Sequence, residues 1–124
     1  MIAGERFYPV AAVNFTMAEQ REFYERYCAH FRKPRPSGIT TEDFSRGTAA
    51  CHIYRPKREM DYPVLPCLHD GGYVLGGLES HDNVCAEIID RGDLTMIGVH
   101  YRLAPENPFP TALDDAWAML HCVS

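Results

Sequence analysis

Residues 63–77, PVLPCLHDGGYVLGG, constrain the fold of this chain more than any other stretch, because an apolar run ends abruptly in a histidine, an aspartate and two glycines. Apolar residues bounded by proline and glycine read as a buried strand entering a tight loop. Glycines there open left-handed backbone conformations and leave N–H groups bare, so that an anion or an oxyanion can approach. An ordinary turn after a core strand has the same local pattern, so the flanking chain has to decide between the two.

Upstream, residues 1–15 show no sustained period and read as an arm. Thr16 and Glu19 form a capping box, and the helix it opens carries Phe23, Tyr24, Tyr27, Cys28 and Phe31 along one side before Arg32, Lys33 and Pro34 end it. That stripe lacks basic interleaving, so it reads as a docking face, or part of a lid, rather than a nucleic-acid platform. Residues 39–46 and 48–55 predict two strands joined at Gly47 into a hairpin. Residues 64–68 are the strand that feeds the glycine loop. Pro66 counts against that assignment, since proline cannot donate to a ladder and belongs at edges or bulges. Ser80 reads as the cap of a helix with Val84, Cys85, Ile88 and Ile89 inward, closed by Arg91 and Gly92. Residues 94–99 are another buried strand, which makes strand, loop, helix and strand one crossover unit of an α/β sheet. A proline-rich loop over residues 101–110 leads to a last helix from Thr111, with Leu113, Ala116, Trp117 and Leu120 expected inward.

Charge and composition exclude several function classes. A formal net charge of -5, from 12 basic and 17 acidic residues with no basic block, gives no footprint for nucleic acid or an anionic membrane. No apolar run approaches the length of a membrane span, and residues 1–15 lack the basic start and apolar core of a signal peptide. The five cysteines, Cys28, Cys51, Cys67, Cys85 and Cys122, are odd in number and sit mostly in apolar periodic stretches. They read as free thiols in a reducing compartment, which points to the cytoplasm. His52, His69, His81 and His100 lack the spacing of a helical metal motif, so neither metal nor cofactor is expected.

Three segments in order, HDGGYVLGG at 69–77, LESHDNVC at 78–85 and YRLAPENPFPTALDDAW at 101–117, resemble the hormone-sensitive-lipase-like branch of the α/β-hydrolase esterases. The resemblance runs from about Ile39 onward. It implies a partial α/β-hydrolase sheet of the first four strands, an antiparallel hairpin followed by a parallel crossover, with an N-terminal cap helix. Residues 1–38 would be the arm and cap helix, and residues 39–124 the N-terminal part of the core. The family's HGGG-type loop stabilises the tetrahedral oxyanion of ester hydrolysis through glycine N–H groups. Carried onto this chain, Gly71 and Gly72 would offer those N–H groups, His69 would brace the loop, and Tyr73 would border the substrate pocket. Asp70 stands where the family usually has its first glycine, so a charged side chain sits beside the hole. The aspartate that commonly precedes the YRLAPE string is His100 here, and that string reads as a structural loop.

Acyl transfer on this fold needs a serine on a strand-to-helix elbow, then an acid, then a histidine. No G-x-S-x-G occurs, and none of Ser37, Ser45, Ser80 and Ser124 has the flanking glycines. The expectation is therefore the front part of a carboxylesterase-like or lipase-like hydrolase, truncated before its triad and inactive alone, whose full-length relatives take a small-molecule ester. The competing reading is a non-catalytic binding or assembly protein that pairs through an exposed strand edge, with itself or with a chain carrying the triad. Cys67, two residues before His69 and on the same side of an extended strand, keeps a cysteine–histidine pair as a third.

Overall fold

The structure is a computed structural model that describes residues 10–123. Residues 1–9 of the expected arm, and Ser124, lie outside the described residues. The rest of the arm forms a short 3-10 turn, Val10–Asn14. Helix α1, Met17–His30, starts as its capping box predicts: Thr16 N–H donates to Glu19 Oε2 (2.7 Å) and Glu19 N–H to Thr16 Oγ1 (3.3 Å). Helix α1 packs against the second helix, and the residues of its aromatic stripe within the helix are half-buried, none of them fully.

Strands β1, Ile39–Arg46, and β2, Ala49–Pro56, form the expected antiparallel hairpin, turned at Gly47 with φ +59°. Strand β3, Val64–Leu68, has the predicted bounds, and β4, Thr95–His100, begins one residue later than expected. The sheet order is β1-β2-β4-β3, antiparallel except for the β3/β4 pair. Helix α2, Leu78–Arg91, covers β2 and β4, and α3, Thr111–Val123, lies against β3. Two apolar clusters follow from strand alternation: Ile39, Tyr54 and Met96 pack with Cys85, Ala86 and Ile89 of α2, while Ala49, Cys51, Ile97 and Val99 pack with Met119 of α3.

Pro66 fits its strand because β3 is an edge. Thr95 N–H donates to Pro63 O (2.9 Å), and in a parallel ladder alternate residues then turn both backbone groups to the neighbour. Leu65 and Cys67 therefore bond β4, while Val64, Pro66 and Leu68 face the open side. The proline costs no ladder bond.

Three side-chain expectations differ from the structure. Ser80 is the third residue of α2, not its cap; the cap is Gly77. The inward residues of α2 are Asp82, Cys85, Ala86 and Ile89, whereas Val84 and Ile88 are exposed. On α3, Asp115, Ala116 and Met119 are buried, and Leu113, Trp117 and Leu120 are exposed. One cause explains both helices. Asp82 takes three hydrogen bonds from Arg35 (2.8–3.1 Å) and one from Tyr54 Oη (2.9 Å), and Asp115 takes the Arg102 N–H (2.9 Å) and guanidinium (2.8 Å). Each buried carboxylate fixes the rotation of its helix, and the apolar stripe beside it is left outside.

Candidate active-site loop

The C-terminal end of β3 runs into residues 69–77, where Gly71, Gly72, Tyr73 and Gly76 all have positive φ (+129°, +61°, +66° and +85°). Two glycines are required by close approach. A Cβ on Gly71 would lie 2.2 Å from Leu75 O, and one on Gly76 would lie 2.6 Å from Asp70 O and 2.8 Å from His69 Nδ1. At Gly72 nothing lies within 4 Å, so only its left-handed backbone favours glycine. Gly71 O accepts from Val74 N–H (3.2 Å) and Leu75 N–H (3.0 Å), which closes the turn.

His69, Asp70, Gly71, Gly72 and Tyr73 are all on this loop, while Cys67 lies in β3. His69 is buried; its Nδ1–H donates to Asp70 O (2.9 Å), and its ring stacks on Tyr101 at 4.2 Å and 9°. Tyr101 Oη donates to His69 O (2.7 Å). Burial, followed by the neighbouring His100 and His81, outweighs the bond to Asp70 O and holds the His69 pKa below the ordinary imidazole value. Its Nε2 is buried without a partner. Asp70 Oδ1 accepts the Gly71 N–H at 2.7 Å, which places a carboxylate on one of the two expected donors. No protein group among the described residues takes the Gly72 N–H. Tyr73 is exposed and lines an apolar hollow of about 410 Å³ together with Leu68, Tyr101, Phe109, Leu113 and Ala116.

A larger hollow, about 1040 Å³, lies under residues 55–62, beside the starts of β3 and β4, and includes none of these residues. In a parallel sheet ligands gather at the carboxyl ends of the strands, which favours the glycine loop over the larger space. Among the described residues no three His, Cys, Asp or Glu side chains converge as metal ligands. No described helix is long and apolar enough to cross a membrane.

The cysteine–histidine pair does not form. His69 Nδ1 is engaged by Asp70 O and its buried Nε2 has no hydrogen-bond partner, so neither ring nitrogen takes the Cys67 thiol. Two further contributors had no readable signal in the sequence. Arg21 of α1 donates to Val74 O (2.8 Å) and Ala104 O (2.8 Å) and pairs with Glu106, tying the helix to both loops. His81 Nε2 lies 3.3 Å from Asp70 N and His81 Nδ1 lies 3.0 Å from Ser80 Oγ. Both residues act on backbone atoms distant in sequence, which no local spacing encodes.

Both the sequence and the fold of this chain match parts of known proteins. The family described as alpha/beta hydrolase fold matches residues 65–124. Esterase LipI of Mycobacterium tuberculosis is 38% identical over 85 residues, which is 66% of this chain and 27% of that protein. Ethyl acetate hydrolase of Pseudomonas putida is 42% identical over 81 residues, 63% of this chain and 25% of that one. Among solved structures, an esterase of Pyrobaculum calidifontis superposes with a TM-score of 0.83 at 31% identity, covering 89% of this chain and 38% of that one. An esterase from the bacterial hormone-sensitive lipase family superposes with a TM-score of 0.76 at 28% identity and the same coverage. The chain is a relative of the α/β-hydrolase esterases. As such a relative it spans about a quarter of the length of the curated proteins it matches. The match to LipI covers 66% of this chain and leaves the rest of it outside the aligned region.

Proposed function

We propose that this chain supplies the oxyanion side of a serine carboxylic-ester hydrolase, with the nucleophile, acid and base contributed by residues outside these 124, and that alone it turns over no ester. The observation that carries the proposal is the left-handed turn at Gly71 and Gly72, at the carboxyl end of a parallel strand, with the Gly72 N–H unengaged. Residues 1–38 act in this account as a cap on residues 39–124, held down by Arg21.

In the reaction, a serine oxygen adds to the ester carbonyl carbon and the carbonyl π pair moves onto oxygen. Gly72 N–H donates to that oxygen as its charge grows, and Gly71 N–H joins once the Asp70 carboxylate turns away. Collapse of the tetrahedral adduct then expels the alcohol, protonated by the base that took the serine proton. Tyr73 and the apolar hollow beside it accommodate the acyl or alcohol group. Asp70 is a cost to this chemistry, because an ionised carboxylate beside a developing oxyanion repels it.

Purified chain assayed with short acyl esters of p-nitrophenol is expected to show no turnover. Hydrolysis that persists through purification and disappears when a residue within these 124 is replaced would overturn the inactivity. A second reading, an assembly protein pairing through its strand edge, is supported by the half-exposed Val64, Leu65 and Leu68 on β3.

A further inference from the structure

We propose that His81 is a positioning residue of the glycine loop, and that with His69 it clamps the Asp70 main chain from both sides, each imidazole carrying its proton on Nδ1. The inference rests on the loop being the oxyanion site, but its geometry stands on hydrogen-bond directions alone. A backbone N–H can only donate, so His81 Nε2, at 3.3 Å from Asp70 N, is the acceptor and bears no proton. The neutral ring then carries its proton on Nδ1, which faces Ser80 Oγ at 3.0 Å. Ser80 Oγ also accepts the Gly77 N–H (2.9 Å) and passes its own proton to Gly77 O (2.9 Å). Every donor and acceptor in this chain of bonds is accounted for.

On the other side of the same residue, the Asp70 carbonyl can only accept, so His69 Nδ1, at 2.9 Å, is the donor. The two rings lie 6.0 Å apart with the Asp70 peptide groups engaged by both. Asp70 and Gly77, the two ends of the loop, are thereby tied to one helical turn of α2. Two consequences follow. The Asp70 N–H is spent, which leaves Gly71 and Gly72 as the donors that can turn outward. Ser80 cannot hand its proton to His81, because the nitrogen that faces it is already protonated; the pair positions the loop and is not a nucleophile with its base.

The test uses the full chain labelled with nitrogen-15, read by long-range proton–nitrogen correlation of the imidazoles in their neutral form. Both His69 and His81 are expected to show a protonated Nδ1 and a bare Nε2; a protonated Nε2 on His81 overturns the proposal. Solvent exchange of the Asp70 amide supplies the second measurement. His81→Ala is expected to speed it on the order of tenfold, the loss of one net hydrogen bond, and to shift the Gly71 and Gly72 amides. His81→Gln, whose amide oxygen takes the place of Nε2, is expected to restore wild-type exchange. Unchanged Asp70 exchange in a folded His81→Ala chain overturns the proposal, and if that variant does not fold the imidazole tautomer and His81→Gln decide. None of these readouts contains an ester, so failure of the clamp and failure of the esterase reading are separate results.

Discussion

At the scale of single residues, the loop separates two glycines that look alike in sequence. Gly71→Ala drives a methyl onto Leu75 O and adds a disfavoured backbone conformation, so it is expected to cost about 3 kcal/mol or more. Gly72→Ala meets no atom and pays only for left-handed dihedrals, about 1 kcal/mol. Urea unfolding of the two variants checks the order. The thiols differ as sharply. Cys67 is half-buried, whereas Cys51 is 1% exposed and burial, then Cys122 and Asp115, pushes its pKa up to about 11. Alkylation at pH 7 is therefore expected at Cys67 well before Cys51, as peptide mass spectrometry of a time course would read.

At the scale of elements, two buried aspartates orient the helices that flank the sheet. Asp82 is pushed up by burial but pulled further down by hydrogen bonds from Arg35 and Tyr54; Asp115 is held down chiefly by Arg102. A carboxyl whose folded pKa lies below its unfolded value adds stability above the ordinary range, near pH 4, and loses it as pH falls through the lowered folded value. Unfolding midpoints are expected to ease down as pH falls below about 6.5, where His69 takes up its proton more readily unfolded than folded, and to drop more steeply below about 4, that lower step being smaller in Asp82→Asn and Asp115→Asn. Asp82→Asn is also expected to cost about 2 kcal/mol at neutral pH, under the range for fully buried pairs because Arg35 stays over a third exposed. These carboxylates mark the limit of what the chain revealed as a string. The strands, the hairpin turn and the capping box at Thr16 were legible because each depends on neighbours along the chain. Which stripe of α2 or α3 turned inward was not, since Val84 with Ile88, or Leu113 with Trp117, has the same period as the buried set and only a distant arginine chooses between them. The glycine loop was legible as a loop, but its restraints by Arg21 and His81 are tertiary, and so is the bond that carries Asp70 onto Gly71.

At the scale of the molecule, apolar surface collects on one flank. Leu68 shares its hollow with exposed Phe109 and Leu113, and α3, which lies against β3, also exposes Trp117 and Leu120, while Val64 on the open strand is half-exposed. Surface of this kind draws another chain. Light scattering over a concentration series is expected to show association, and Val64→Lys combined with Leu68→Lys to return a monomer; a monomer at all concentrations in the unsubstituted chain would contradict it. Pro66 sets a condition on any such union. A newcomer aligned with β3 finds N–H groups at Val64 and Leu68, about 13 Å apart, and none at the rung between. Its own carbonyl opposite the pyrrolidine ring must bend aside or stay with solvent. Fibre-like stacking of identical strands repeats that mismatch in every layer, while a dedicated neighbour shaped around the gap meets it once.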